Sequence, residues 1–170
     1  MIKLKKLIIA LFLVTVLILV NKKETKVLIP EDAIRFRIIA NSNKIEDQTQ
    51  KLEIKKELEP VITNILSTSN SLDETRKEIK NNMYEVKNIL NKYDTEYKLN
   101  YGYNYFPEKN YKGVTYKAGE YESLVVTLGD GLGDNWWCVL FPPLCLLEAS
   151  REDYDDITYT SYIRELIDKY

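Results

Sequence analysis

The stretch Tyr97-Lys98-Leu99-Asn100-Tyr101-Gly102-Tyr103-Asn104-Tyr105-Phe106 sets a large apolar or aromatic residue at every odd position through Tyr105, with polar or small residues between. Successive side chains of a strand point to opposite faces, so this pattern predicts a half-buried strand with an aromatic face. Residues 121–128, centred on Leu124-Val125-Val126, predict the next strand, antiparallel to the first. The intervening residues 109–119 read as a turn-rich connection. Upstream, Ile34-Arg35-Phe36-Arg37-Ile38-Ile39-Ala40 alternates apolar and basic residues and then turns apolar, as a strand with one buried face does. Asn41-Ser42-Asn43 ends it with turn formers.

Residues 46–67 are helical in pattern, with Ile54, Leu58, Ile62 and Ile65 recurring at spacings of four, four and three. Pro60 predicts a kink or two shorter helices. Ser71-x-x-Glu74 is a capping box opening a second helix, along which Leu72, Ile79, Met83, Val86, Leu90 and Tyr93 form one apolar stripe. Such a stripe predicts a helix packed on a sheet. The order strand, two helices, two strands, loop and terminal element predicts an α+β fold: an antiparallel sheet with helices packed on one face.

The chain has 170 residues, enough for one domain with a core that needs no dense disulfide framework. Residues 1–6 are short and basic, and 7–20 are apolar apart from Thr15, matching a signal peptide or signal anchor. A fourteen-residue apolar run is short for a bilayer span, which takes roughly 20 residues. The expected organisation is a signal or anchor at 1–20, a linker at 21–31 and one extracytoplasmic domain at 32–170. Removing Lys3, Lys5 and Lys6 with the leader leaves 21 Lys+Arg against 26 Asp+Glu. So acidic a body lacks the electrostatic footprint for nucleic acid. Past Cys145 the chain turns acidic at Glu152, Asp153, Asp155 and Asp156; residues 157–162 suit a short strand, and Ser161 a cap for a last helix over 162–169.

Residues 129–145 read Gly-Asp-Gly-Leu-Gly-Asp-Asn-Trp-Trp-Cys-Val-Leu-Phe-Pro-Pro-Leu-Cys. The three glycines allow a tight lead-in loop. Two adjacent Trp cannot face one core from a regular strand, which makes Trp136 or Trp137 a candidate surface anchor. Cys138 and Cys145 either pair in an oxidising compartment or pack as two buried thiols. Pairing yields a rigid, aromatic-tipped loop stiffened by Pro142 and Pro143. With no histidine in the chain, Ser-His-Asp and Cys-His arrangements cannot be built, and the usual imidazole zinc sites are excluded. Asp130 and Asp134 fit turn chemistry better than a calcium loop. Glu46, Asp47, Glu108, Glu120 and Glu122 keep open a minor reading as a wall-acting hydrolase with paired carboxylates. No catalytic residue, metal, cofactor or small-molecule substrate is expected. Arg35 and Arg37 are either a second contact surface or the solvated face of a strand.

Asn135-Trp136-Trp137-Cys138-Val139-Leu140-Phe141-Pro142-Pro143-Leu144-Cys145, after Gly-x-Gly-x-Gly, resembles the signature of the stage II sporulation protein R family. Ile34-Arg35-x-Arg37-Ile38-x-Ala40-Asn41-Ser42 with Glu46-Asp47-Gln48 and Lys51 is similar to that family's first block. Phe106-Pro107-x-Lys109-x-Tyr111 and Ala118-Gly119-x-Tyr121-Glu122 resemble its middle block. Lys112 and Lys117 depart from the pattern, where a Gly and a Pro are expected. The resemblance implies a signal exported from the forespore into the space between the two septal membranes. There, such proteins trigger a membrane-bound aspartic protease that processes the precursor of sporulation sigma factor E. An exported domain of this kind acts by binding, either as that signal or as a structural septal adaptor. The contact residues expected are Asn135, Trp136, Trp137, Phe141, Pro142 and Pro143, with Arg35 and Arg37 as a second surface.

Overall fold

A computed structural model describes residues 27–111 and 114–145, together with Ile167. The expected leader (1–20), the acidic run and the elements expected over 157–169 lie outside the described residues, apart from Ile167. In chain order the elements are β1 (Val27–Leu28), β2 (Ile34–Ile39), α1 (Ile45–Thr68), α2 (Leu72–Leu90), β3 (Tyr97–Phe106), β4 (Lys109–Tyr111), β5 (Val114–Tyr116), β6 (Gly119–Leu128) and β7 (Asn135–Phe141). No helix among the described residues is long and apolar enough to cross a membrane.

The main sheet has the order β3-β6-β2-β7. β3 pairs antiparallel with β6 as expected, with Tyr97 opposite Leu128 and Phe106 opposite Gly119. The sheet as a whole is mixed, which corrects the expectation of an antiparallel one: β2 runs parallel to β6, with Arg35 beside Ser123 and Ile39 beside Thr127. Parallel neighbours need a long crossover, and the two helices between β2 and β3 supply it. α1 and α2 lie on one face, where Phe36, Ile38, Leu124, Val126 and Leu140 meet Ile54, Leu58, Ile65, Ile79 and Leu90. Burying a side chain of this size fully contributes about 1.5–3 kcal/mol.

That burial explains a second correction. α1 continues through Pro60 as one 24-residue helix. An interior proline costs about 3 kcal/mol. Ile54 and Leu58 before it, and Val61, Ile62 and Ile65 after it, are all buried against the same core, so the chain stays one helix across the proline and does not split into two. α2 begins as its capping box predicts, with the Glu74 N–H donating to the Ser71 hydroxyl. The Glu74 carboxylate accepts from the Asn70 N–H, one residue before the cap.

Residues 109–119 hold a hairpin, not only turns: β4 and β5 pair antiparallel, with Lys109 opposite Tyr116. β1 pairs parallel with β5, and Ile29 is buried, so the ordered body reaches into residues read as a linker. This small sheet lies over the other side of β7, in a second core of Ile29, Ala33, Val114, Tyr116, Val139 and Leu144 against which Ile167 packs.

The Trp-Trp-Cys segment, expected as a loop, is strand β7, antiparallel to β2. The loop is residues 129–134. β6 and β7 flank β2, so this loop must stride across the end of β2 where the chain leaves for α1. Gly129 and Gly131 take positive φ, at 52° and 67°. The Gly133 N–H donates to the Ala40 carbonyl at 2.9 Å and the Leu132 N–H to the Asn41 carbonyl at 3.0 Å. The Asn41 side chain accepts from the Asp130 N–H and donates to Asp47. Lys51, 6% exposed, donates to the Asp134 carbonyl at 2.9 Å. Asn41, Asp47 and Lys51 from one block of the resemblance thus meet the glycines of the other in one polar knot.

Cys138 and Cys145 are both buried and joined in a disulfide, with Cα atoms 5.3 Å apart. Closing a loop of this length removes unfolded-state entropy worth about 2.5 kcal/mol. The double variant Cys138→Ala/Cys145→Ala is expected to lose about that much stability in urea unfolding. A variant as stable as the parent would rule the constraint out.

Candidate functional site

β7 places its two indoles on opposite faces of the sheet. Trp136 lies beside Ile38 and turns to the helices, edge-on to Phe36 at 5.8 Å with the Lys55 ammonium 5.0 Å from its ring. Trp137 lies beside Arg37 and turns to the hairpin side, 4.8 Å from the Tyr116 ring and 5.7 Å from the Phe106 ring. Both are half-buried. The candidate surface anchor is thus not a free-standing side chain: each Trp is half-buried in its own packing layer, because both faces of β7 are covered.

Arg35 departs furthest from expectation. It is neither a contact surface nor a solvated strand face; its exposure is 0%. The guanidinium lies 3.4 Å from the Tyr121 ring centroid, 5.1 Å from Phe106, 5.4 Å from Trp137 and 5.9 Å from Tyr116. A desolvated cation against aromatic faces gains about 2 kcal/mol or more. Among the described residues none of its three nitrogens meets an acceptor at hydrogen-bond geometry. The Tyr121 hydroxyl donates elsewhere, to the Lys117 carbonyl. Burial pushes the Arg35 pKa down, and the neighbouring Tyr121 and Tyr116 oppose that.

Arg37, two residues on, shares this face of β2 and is half-buried. Its guanidinium lies 4.4 Å from the same Phe106 ring, and its buried Nε has no acceptor among the described residues. Burial lowers its pKa as well. Arg37, Phe106, Trp137, Asn135, Glu108 and Lys109 line a cavity of about 110 Å³, with the Lys109 ammonium 5.2 Å from the Trp137 ring. No described carboxylate forms an ion pair with Arg35 or Arg37.

Of the expected contact residues, Asn135, Trp137 and Arg37 come together at this cavity. Trp136 is on the helix side, and Phe141 and Pro142 are buried, leaving Pro143 half-buried in the turn after β7. Phe106, Lys109, Tyr116 and Tyr121 were not singled out as site residues. The recurrence of aromatics around 106–121 was their sequence signal, but their convergence on β2 depends on the hairpin.

Two carboxylates of the hydrolase reading, Asp47 and Glu122, are held by structural partners. Asp47 holds Asn41 and Ser42. Glu122 accepts from Arg76 at 2.8 and 2.9 Å and from the Tyr101 hydroxyl at 2.6 Å. Burial alone would raise the Glu122 carboxyl, but the bonds from Arg76 and Tyr101 outweigh it and hold it below its usual range. A depressed carboxyl stabilises the fold above its unfolded pKa of about 4.3, and that contribution disappears as pH falls through the folded value. Arg76 is a third exposed, so screening limits the effect to about 1 kcal/mol. Urea midpoints of the parent and Glu122→Gln are expected to differ at pH 7 and to converge as the pH is lowered through the folded-state titration of Glu122. A gap that persists in acid would refute the ion pair as its source.

Among the described residues no group of three or more Cys, Asp or Glu side chains is placed to hold a metal ion. A family model described as Stage II sporulation protein R matches residues 30–151. Stage II sporulation protein R of Bacillus subtilis (strain 168) is 40% identical over 131 residues, covering 74% of this chain. The chain spans 58% of that relative's length. No solved structure matches.

Proposed function

The chain belongs to the stage II sporulation protein R family, and we propose that it acts in sporulation as an exported signal between compartments. In this reading the domain sits in the space between the septal membranes, near the membrane through residues 7–20. It activates a membrane-embedded aspartic protease, which then processes the precursor of sigma factor E. Its means is contact, with no bond broken by its own residues. The observation that supports this reading is the cavity beside β7, where Trp137, Arg37 and Asn135 gather at the end of a rigidly braced strand. Half-buried Trp and Arg are the side chains that dominate interface energetics.

Shifting a protease from mostly inactive to mostly active takes a differential affinity of about 5.5 kcal/mol. A few anchors of 2 kcal/mol or more each reach that. The test is co-expression of this chain, the protease and the sigma-factor precursor in a host that lacks all three. Precursor cleavage that depends on this chain is the expected result. Stable co-purification with the protease and no cleavage would instead make the protein a septal adaptor.

A further inference from the structure

We propose that the Arg37 cavity is a site for a carboxylate, presented by an acidic side chain of the protein partner. The identity of the partner rests on the signalling reading above; the chemistry of the site does not.

Two guanidinia stand on one face of β2, and both lie against the Phe106 ring, at 5.1 and 4.4 Å. Buried charge is ordinarily paired, because removing it from water costs several kcal/mol. Here Arg35 is fully buried, and among the described residues neither its nitrogens nor the buried Arg37 Nε meets an acceptor at hydrogen-bond geometry. Among the described residues the exposed Glu108 is the one carboxylate lining the cavity, and the two guanidinia of Arg37 and, behind the same ring, Arg35 outnumber it within a chain whose net charge is −2. Aromatic walls exclude water and strengthen any ion bound between them. The cavity of about 110 Å³ has the room of three or four waters, at about 30 Å³ each, which suits the tip of one acidic side chain. A planar guanidinium fork matches a carboxylate in two parallel bonds.

The experiment titrates the purified full-length chain, in neutral detergent, with acetate and with a tetraglutamate peptide. The readouts are the proton–nitrogen NMR signals of Arg37 Nε–H and the Trp137 indole. Both signals are expected to shift saturably. In Arg37→Gln, read at the Trp137 indole, half-saturation is expected to rise at least tenfold. Arg76→Gln should leave it unchanged. Glu108→Gln, at an exposed position that does not endanger folding, should lower it about twofold. No saturable shift, an undiminished response in Arg37→Gln, or saturation by inorganic phosphate but not by carboxylate overturns the proposal. In the co-expression assay Arg37→Gln is expected to cut precursor cleavage about tenfold; undiminished cleavage overturns the partner's use of the site. If the parent chain itself elicits no cleavage, the signalling reading fails, while the titration still decides the carboxylate site.

Discussion

Trp137→Ala is expected to reduce sigma-factor precursor cleavage at least tenfold at equal amounts of folded protein, whereas Trp136→Ala is expected to act through stability alone. The indoles are neighbours in sequence and strangers in space. Trp136 packs edge-on to Phe36 at the margin of the helix-side core. Truncating a Trp in a core costs about 3–5 kcal/mol, and its partial exposure puts Trp136 at the lower end. Trp137 lines the cavity on the opposite face, and its outer part remains available to a partner. An interface anchor contributes about 2 kcal/mol or more, and about 1.4 kcal/mol is already tenfold. Quantifying folded protein beside precursor cleavage separates the two effects, and Trp137→Phe retains part of the packing as a control. Full cleavage by folded Trp137→Ala would remove the contact surface from consideration. So would a Trp136→Ala defect larger than its loss of folded protein.

Gly133→Ala is expected to destabilise the domain by about 3 kcal/mol, at the upper end of what overpacking costs. A Cβ there would run into the Ser42 carbonyl group, with its carbon 2.6 Å away, and reach 3.0 Å from the Ala40 Cβ. These are atoms of the β2–α1 turn that hold the loop. The Gly133 N–H bonds the Ala40 carbonyl and the Asp134 N–H the Asn43 side chain, so neither partner can retreat without breaking a bond. Gly102→Ala is the matched control, since a Cβ there meets nothing within 4 Å, and its effect should stay within about 0.5 kcal/mol. Equal urea midpoints for the two variants would show that the close approach is not a constraint.

Much of the architecture was legible because periodicity reports burial directly. β3 falls on Tyr97–Phe106, but its expected aromatic face holds only through Tyr101, since Tyr103 and Tyr105 are exposed while Phe106 on the other face is buried; the stripe on α2 buries Ile79, Val86 and Leu90. What periodicity lacks is direction and partner. The same alternation in 34–40 fits a strand paired either way, and its parallel pairing with β6 depends on a crossover through two helices. The short strands of 109–116 carry too few residues to show a period. The basic residues of β2 mislead for a related reason: alternation marks Arg35 as facing away from the helix-side core, and a second covered face was not foreseeable from β2 itself.

The succession β2, α1, α2, β3, β6, the helical faces, the capping box and the opposed directions of the two indoles follow from the amino-acid sequence alone, since each depends on residues a few positions apart. The mixed sheet, the aromatic enclosure of Arg35, the loop knot around Asn41 and the cavity at Arg37 were decided only in the tertiary structure. Each of these joins segments far apart along the chain, from β2 to residues beyond position 100. Local pattern says which side of a strand is buried; only the assembled layers say what it is buried against.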